Sequence, residues 1–144
     1  MIEEPQPGQD VPTAPHPALN AMLICDLAIR EEGSGKVSLI GIFENISASQ
    51  FPIQQGLCVY AKLVDAEGEY QFRLELVRLE DLQILGQGEF RVAFADRMTP
   101  AEIIFNLGVG FDRPGRYEFR LHANNKWVAS KSLSVVQMAP PGAS

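Results

Sequence analysis

The sequence predicts an all-β fold of about eight antiparallel strands, arranged as a β-sandwich or barrel. Apolar and polar residues alternate with a period of two through most of residues 19–137, which is typical of strands with one face on a core and one in water. Clusters of Gly, Asp, Asn and Pro separate these runs at the spacing of turns. No clear helix fits between the runs, so the two-layer all-β classes are favoured.

The composition limits the class of protein. The 144 residues, of which 46% are hydrophobic and 21% charged, suffice for one domain with an ordinary core. The net charge of -6 argues against general nucleic-acid binding, because affinity for phosphates comes mainly from Lys and Arg. We expect no membrane span, since no apolar run approaches the roughly 20 residues that a spanning helix needs. Two cysteines are too few for a disulfide scaffold.

The two ends differ in composition from the middle. Residues 1–18 hold five of the ten prolines, three acidic residues and no Lys or Arg, so few apolar groups are present to offset the entropy of ordering. We therefore expect a disordered proline-rich tail over residues 1–18, a β-sandwich domain over 19–137 and a short tail over 138–144. The first residues lack the basic and apolar regions of a signal peptide, which favours the cytoplasm.

Turn residues divide the domain into predicted strands. The clearest runs place Tyr70, Phe72, Leu74 and Leu76 on one strand face, and Tyr117, Phe119, Leu121 and Ala123 on another. The predicted strands lie at about residues 20–30, 36–46, 57–64, 69–79, 83–94, 101–107, 115–123 and 127–137.

Two segments also fit a helix. Apolar residues from Leu19 to Leu27 recur at i, i+3 and i+4, but the same segment alternates and leads through Gly33-Ser34-Gly35 into a plain strand, so we favour a strand. Thr99-Pro100-Ala101-Glu102 has the form of a capping box. The segment up to Leu107 is too short and too β-branched for a stable helix, so we expect at most one helical turn there.

A Pro-Gly turn precedes a tyrosine in the segment Phe111-Asp112-Arg113-Pro114-Gly115-Arg116-Tyr117. This arrangement resembles the corner before the penultimate strand of immunoglobulin-like sandwiches, where the tyrosine hydroxyl bonds to upstream backbone and the ring packs on the core. The resemblance implies that role for Tyr117, and it implies a single immunoglobulin-like antiparallel β-sandwich. The chain departs from antibody domains because Trp127 follows both cysteines, so the disulfide-and-tryptophan core pin is absent.

A wider resemblance covers roughly Ala21 to Val135. It is carried by five segments that are similar to an uncharacterised family of small bacterial proteins: Leu23–Asp26, Gly35–Glu44, Cys58–Leu63, Tyr70–Glu80 and Pro114–Leu121. The resemblance implies a bacterial origin and a compact all-β fold. The family carries no assigned activity, so it supplies no catalytic residues.

Histidine and cysteine, the usual residues of catalysis and metal binding, are scattered. His16 lies in the proline-rich tail, and His122 lies on the polar face of its strand. Cys25 and Cys58 stand alone in apolar runs, where we expect buried thiols rather than a disulfide or zinc ligands. An enzyme with one of these cysteines as its nucleophile is a third-ranked hypothesis, and the sequence predicts no catalytic residue and no cofactor.

The acidic turn Asp65-Ala66-Glu67-Gly68-Glu69 is the best candidate for a metal site. Asp65, Glu67 and Glu69 offer hard oxygen ligands to Ca²⁺, and Glu31-Glu32 or Glu80-Asp81 would add ligands if the fold brought them close. A solvated hairpin tip is the simpler interpretation. The glycine pairs lack the strand–loop–helix context of phosphate loops, so we interpret them as turns and bulges: Gly33-Ser34-Gly35, Gly86-Gln87-Gly88 and Gly108-Val109-Gly110.

The charged residues on two strands predict a polar outer face. These residues are Arg73, Glu75 and Arg78 on one strand, and Arg116, Glu118, Arg120 and His122 on another. If the two strands pair, cross-strand ion pairs form between them.

The sequence thus predicts a non-enzymatic β-sandwich that acts as an interaction or structural module. It would bind a protein partner or assemble with itself through the tail or a sheet edge. The alternative is a ligand-binding sandwich that meets Ca²⁺ or carbohydrate with loops at one end.

Overall fold

The computed structural model describes residues 14–139, and all regular structure in that range is β-strand. The strands are β1 (Ala18–Arg30), β2 (Val37–Ile42), β3 (Asn45–Ala48), β4 (Ile53–Val64), β5 (Gly68–Arg78), β6 (Gln83–Phe94), β7 (Ala101–Phe111), β8 (Gly115–Ala123) and β9 (Lys126–Gln137). The all-β prediction is confirmed, with nine strands within the described range rather than eight.

The strands form two sheets that enclose one core. The four-stranded sheet has the order β2-β1-β4-β7, and the five-stranded sheet has the order β3-β9-β8-β5-β6. Neighbours are antiparallel except β3 and β9, which are parallel. Ile24, Val59 and Leu63 of the four-stranded sheet share a buried cluster with Phe72 and Phe119 of the five-stranded sheet.

The period-two pattern places the side chains of β5 and β8 as predicted. Tyr70, Phe72, Leu121 and Tyr117 are at most 2% exposed and belong to the core. The Phe72 ring lies 5.4 Å from the Phe90 ring of β6 in a stacked arrangement. Aromatic pairs of this kind add to the stabilisation from area burial alone, so this end of the core is an aromatic cluster.

The predicted strand 36–46 is wrong, because the chain changes sheets within it. β2 belongs to the four-stranded sheet and β3 to the five-stranded sheet. Between them the Phe43 amide donates to the Ile24 carbonyl at 2.9 Å, and the Glu44 carbonyl accepts from the Ser134 amide at 3.0 Å. Both halves are extended, so the alternation pattern contains no sign of the crossing.

Both helical alternatives are wrong. β1 is a strand throughout because it is paired along its length, with β4 in its first half and β2 in its second. At the other site, the Asp96 carboxylate accepts from the amides of Met98 at 2.8 Å and Thr99 at 3.0 Å. These bonds hold residues 96–99 in a turn, and β7 follows without the helical turn that the capping box at Thr99 suggested.

The predicted tails lie largely outside the described residues. Residues 1–13 and 140–144 are not described, so the prediction of disorder there stays a prediction. Residues 14–17 precede β1 without regular structure and make contacts with the domain: the Tyr70 hydroxyl donates to the Pro15 carbonyl at 2.6 Å, and Pro17 is buried. The contacts of the domain therefore extend to residues that the sequence analysis placed in the tail.

Tyr117 makes the back-bond that its sequence context predicts. Its hydroxyl donates to the Arg113 carbonyl at 2.6 Å, and its ring is fully buried with its edge against Phe111, 4.9 Å between centroids. A buried tyrosine needs a partner for its hydroxyl, and the turn before β8 supplies it. This contact fixes the entry of β8 relative to the end of β7.

Arg78 is buried, which corrects its predicted place on the polar face. It is 5% exposed because it occupies a core-facing position of β5, two residues after Leu76 in the same alternation. Its guanidinium donates to Asp81 at 3.0 Å, Asp112 at 3.0 Å and Gln83 at 2.7 Å. These bonds join the β5–β6 turn to the β7–β8 turn at one end of the molecule.

Acid should weaken the fold through Asp81. The hydrogen bond from Arg78 is the main reason that the pKa of Asp81 falls from 3.8 to about 2. A lowered pKa in the folded state stabilises the protein above the unfolded value, and this contribution is lost as the pH falls through the folded value. We expect the urea midpoint of the Asp81→Asn variant to fall less than that of the wild type between pH 4 and pH 2.

The control for this prediction is Glu67→Gln, which removes an exposed carboxylate in the β4–β5 turn. Its midpoint should follow the wild type over the same pH range. Equal acid sensitivity of the wild type and Asp81→Asn would contradict the assignment to Asp81.

Candidate interaction surfaces

The hairpin formed by β1 and β2 folds back over the outer face of the four-stranded sheet. Ala21 is paired with Lys62, which is paired with Glu102. Nine residues further along β1, Arg30 Nη1 lies 3.4 Å from Glu102 Oε1. A straight strand would carry Arg30 roughly 30 Å away from Ala21. β1 therefore bends sharply near Cys25, where its pairing passes from β4 to β2.

The folded-back hairpin buries side chains on the outer face of β4. Val59 and Ala61 face the core, whereas Cys58 and Tyr60 occupy the alternate positions outside the core cluster. Even so, Cys58 is 0% and Tyr60 is 7% exposed. The tip of the hairpin and Tyr60 line the same surface depression, together with Lys62 and Glu102. This part of the four-stranded sheet is thus covered on both faces.

A hydrogen-bonded cluster holds the hairpin in this position. The Tyr60 hydroxyl donates to the Glu102 carboxylate, which also pairs with Arg30. Burial, followed by the bond to Glu102, raises the pKa of Tyr60 to about 12. The phenol therefore stays protonated, and stays a donor, throughout the physiological pH range. Arg30 also donates to the Gly35 carbonyl at 2.9 Å, which ties the cluster to the tip.

The free face of the hairpin is an apolar stripe formed by Leu27, Ile29, Ile40 and Ile42. The register opposes Leu27 to Ile40 and Cys25 to Ile42, so these side chains share one face. Their exposed fractions are 47%, 44%, 50% and 53% in chain order. A contiguous exposed apolar patch on a monomer often marks an interaction site. On the opposite face, Ala28, Val37 and Leu39 are half-buried.

β2 is also an edge strand of the four-stranded sheet. Natural edge strands are usually protected from pairing with other chains by charged residues, proline or inward-pointing charges. β2 has the sequence VSLIGI and carries none of these side chains. Gly41 has a φ of 70° and kinks the strand near its end, while Val37 to Ile40 remain regular. The stripe and the unprotected edge thus lie together.

This surface is not among the sequence predictions, although the sequence holds a signal for it. Leu57-Cys58-Val59-Tyr60-Ala61 is a continuous apolar run, and all five residues are buried. Such a run is typical of a strand that is covered on both faces. It therefore indicated that something covers the outer face of β4.

Cys25 and Cys58 are direct cross-strand neighbours under the bend of β1. The register pairs the two residues, and both are free thiols with 0% exposure. They lie outside the main core cluster, beneath the hairpin. Burial, and then the proximity of Cys25, raises the pKa of Cys58 from 9.0 to about 11. A reactive cysteine requires the opposite, an exposed thiol with a lowered pKa.

The acidic turn does not gather its predicted partners. Asp65, Glu67 and Glu69 are exposed in and after the turn between β4 and β5. Glu80-Asp81 lies at the other end of β5, an 11-residue strand that spans roughly 30 Å. Glu31-Glu32 lies beyond the bend of β1, at the hairpin tip. Among residues 14–139, no three His, Cys, Asp or Glu side chains form a group that could hold a metal ion.

The polar outer face of the five-stranded sheet forms, but its arginine–glutamate ion pairs run within one strand, Arg73 to Glu75 and Arg120 to Glu118, rather than across the strands. β5 and β8 pair, and His122 Nε2 lies 3.2 Å from Glu75 Oε1 across the strands. Arg73 also contacts Glu75, at 3.1 Å. His16 is exposed before β1. His122 is thus half-buried in a hydrogen-bonded network on the outer face of the five-stranded sheet. Both cysteines lie in the other sheet, on β1 and β4.

Two of the three glycine pairs lie within strands. Gly33 and Gly35 form the hairpin turn with φ of 90° and 74°, as predicted. Gly86 and Gly88 lie in β6, and Gly108-Val109-Gly110 lies in β7. Only Gly86 borders a bulge, at the register shift opposite Leu76. The interpretation of these two pairs as turns and bulges is therefore wrong, apart from that one bulge.

The buried thiols should resist chemical modification in the folded protein. A pKa of about 11 instead of 9.0 lowers the thiolate fraction of Cys58 about a hundredfold at neutral pH, and burial adds a steric barrier. We expect 5,5′-dithiobis(2-nitrobenzoate) to react at least a hundredfold more slowly with the thiols of the native protein than with those of the protein unfolded in guanidinium. A Ser34→Cys variant, exposed at the hairpin tip, is the positive control. Comparable rates in the native and denatured protein would contradict the burial of both thiols.

Comparisons with known proteins place the chain in a family without giving it an activity. Within the described residues, no helix is long and apolar enough to span a membrane. No curated protein matches the chain. The model of a family of unknown function, DUF6941, matches residues 20–136. This range covers all nine strands apart from Ala18 and Leu19 at the start of β1 and Gln137 at the end of β9. The chain therefore belongs to DUF6941, an uncharacterised family with an all-β fold in this member.

Proposed function

We propose that this protein is a non-enzymatic interaction module that assembles with a second copy of itself through the edge of β2. The observation that carries the proposal is the unprotected edge strand flanked by four half-exposed aliphatic side chains. Strand addition at such an edge supplies main-chain hydrogen bonds, and the apolar stripe supplies buried area. The non-enzymatic assignment is supported by the burial and raised pKa of Cys58.

A second copy fits this edge because the edge is self-complementary. A two-fold dimer brings the same patch of both copies together, and antiparallel pairing of β2 with β2 would join two apolar stripes. Lys36 precedes the strand and Glu44 follows it after Phe43, and both are exposed. In an antiparallel pair, Lys36 of each copy lies near the end that carries Glu44 of the other. The two charges favour this orientation, with Glu44 then shared between Lys36 of the other copy and Lys131 of its own chain, whose Nζ lies 3.2 Å away.

The sheet order supports an immunoglobulin-like topology as part of the proposal. The order β9-β8-β5-β6 matches strands G-F-C-C′ of a variable-type domain, and β1-β4-β7 matches A-B-E. The Tyr117 bond to the Arg113 carbonyl gives further support. The protein departs from that pattern because β2 is an additional strand outside β1. The proposed contact surface is thus the part that the common topology lacks.

We also propose the cytoplasm of a bacterium as the compartment. Cys25 and Cys58 are adjacent free thiols without exposure. Thiols in this arrangement stay reduced in a compartment that contains glutathione or thioredoxin.

Light scattering coupled to size-exclusion chromatography tests the assembly. We expect the wild type to run as a dimer, at twice the chain mass of 15.9 kDa, and to dissociate on dilution. Ile40→Lys places a charge in the stripe and should raise the dissociation constant at least tenfold, which corresponds to about 1.4 kcal/mol. Ile84→Lys is the matched control, because Ile84 is similarly exposed at 49% on a different edge strand, β6.

A chain that begins at Ala14 tests whether dimerisation depends on the β2 edge or on residues 1–13. It keeps the contacts of Pro15 and Pro17 with the domain, and we expect it to dimerise like the full chain. A wild type that is monomeric at high concentration would overturn the proposal. So would a dimer that survives Ile40→Lys, or one that is lost with residues 1–13.

A further inference from the structure

An apolar cleft opens between the two sheets where β6 and β7 face each other. It lies between β6, the outer strand of the five-stranded sheet, and β7, the outer strand of the four-stranded sheet. The cleft has a volume of about 210 Å³. Its walls are the side chains of Leu74, Leu76, Leu107, Val109 and Phe119, and Gly86, Gln87, Gly88 and Gly108 complete the lining.

The cleft exists because two core-facing positions of β6 have no side chain. Phe90, Val92 and Phe94 of β6 pack against the core. The same alternation assigns the next two core-facing positions to Gly88 and Gly86, which are paired with Leu74 and Leu76 of β5. Leu74 and Leu76 therefore have no β6 side chain beside them on the core face.

The conformation of the backbone does not require glycine at these positions. Neither Gly86 nor Gly88 has a positive φ, and a Cβ added at either would meet no atom within 4 Å. Glycine in a strand interior weakens the strand, and it often marks a site where a ligand or another backbone approaches closely. Here it keeps the cleft open to solvent.

The size and the lining of the cleft define what could fill it. A cavity of about 150 Å³ lined by apolar side chains holds a benzene molecule, and 210 Å³ at protein packing density admits a van der Waals volume of roughly 155 Å³. That is the size of a single substituted aromatic ring or a short alkyl chain. No charged side chain lines the cleft, so an ionised group inside it would lose its hydration without compensation.

We infer that the cleft between β6 and β7 is a binding site for a small uncharged apolar molecule, with one aromatic ring or a short alkyl chain as the group that enters. The ligand contacts Leu74, Leu76 and Phe119, beside the segment of β6 from Gly86 to Gly88. This site is separate from the edge of β2, so it does not depend on self-assembly.

Toluene is the probe, measured by solution NMR with the full chain. We expect saturable chemical-shift changes below the solubility limit of toluene, and nuclear Overhauser effects from its methyl group to Leu74 and Phe119. Benzoate has the same ring with an ionised group, and we expect at least tenfold weaker binding for it. Absence of saturation by toluene, or Overhauser effects only at other sites, would overturn the inference.

Substitution of the glycines tests the same site in the protein. Gly86→Val and Gly88→Val place strand-forming side chains in the cleft, and each should lower the affinity for toluene more than tenfold without lowering the melting temperature. Gly56→Val is the matched control, because Gly56 is also a mid-strand glycine with free space around its Cβ, on β4. It should leave toluene binding unchanged.

If a valine variant does not fold, Gly88→Ala adds a single methyl group and should still weaken binding severalfold. Unchanged affinity in a folded Gly88→Val or Gly88→Ala variant would overturn the inference. Equal loss of affinity in Gly56→Val would do the same, because it would place the effect outside the cleft.

Discussion

The bend of β1 near Cys25 is the constraint on which the rest of the four-stranded sheet depends. Up to Cys25 the strand pairs with β4, and beyond it with β2. Because of the bend, the hairpin lies beside Glu102, and the Glu102 carboxylate contacts both Arg30 and Tyr60. Without the bend, Cys58 and Tyr60 would lie on an open sheet face. The ion pair itself is partly exposed and contributes little, so the burial of apolar surface beneath the hairpin is the larger stabilising effect.

The same bend determines which edge of the molecule is free. Because β2 follows the second half of β1, it extends the four-stranded sheet on the outside and has a neighbour on one side alone. The chain then reaches the five-stranded sheet through Phe43 and Glu44, which are anchored to Ile24 and Ser134. The proposed dimer edge is on β2, and the apolar cleft lies between β6 and β7. The dimer edge is formed by β2, which lies outside β1, and the cleft is formed where glycines occupy two core-facing positions of β6.

The sequence could predict which residues face the core wherever one sheet face meets water. Tyr70, Phe72 and Tyr117 were placed in the core by alternation alone, and the bond of Tyr117 by the turn before it. The sequence does not predict which strands pair or where a strand bends, because an extended residue has the same local pattern whichever strand it pairs with. For this reason the sequence predicts one strand over residues 36–46 and gives no prediction of the stripe around Ile40. The sequence predicts that a strand ends at residue 107, before Gly108 and Gly110, because the pattern does not show that β7 continues through these glycines to Phe111.

The position of the hairpin is the central claim, and nuclear Overhauser effects between Val37 and the Tyr60 ring test it most directly. Both residues line the depression beneath the hairpin tip. We expect contacts from the Val37 methyl groups to the Tyr60 ring in the wild type. It is contradicted if the ring shows contacts to its neighbours on β1, β4 and β7 and none to residues of β2 or the hairpin turn.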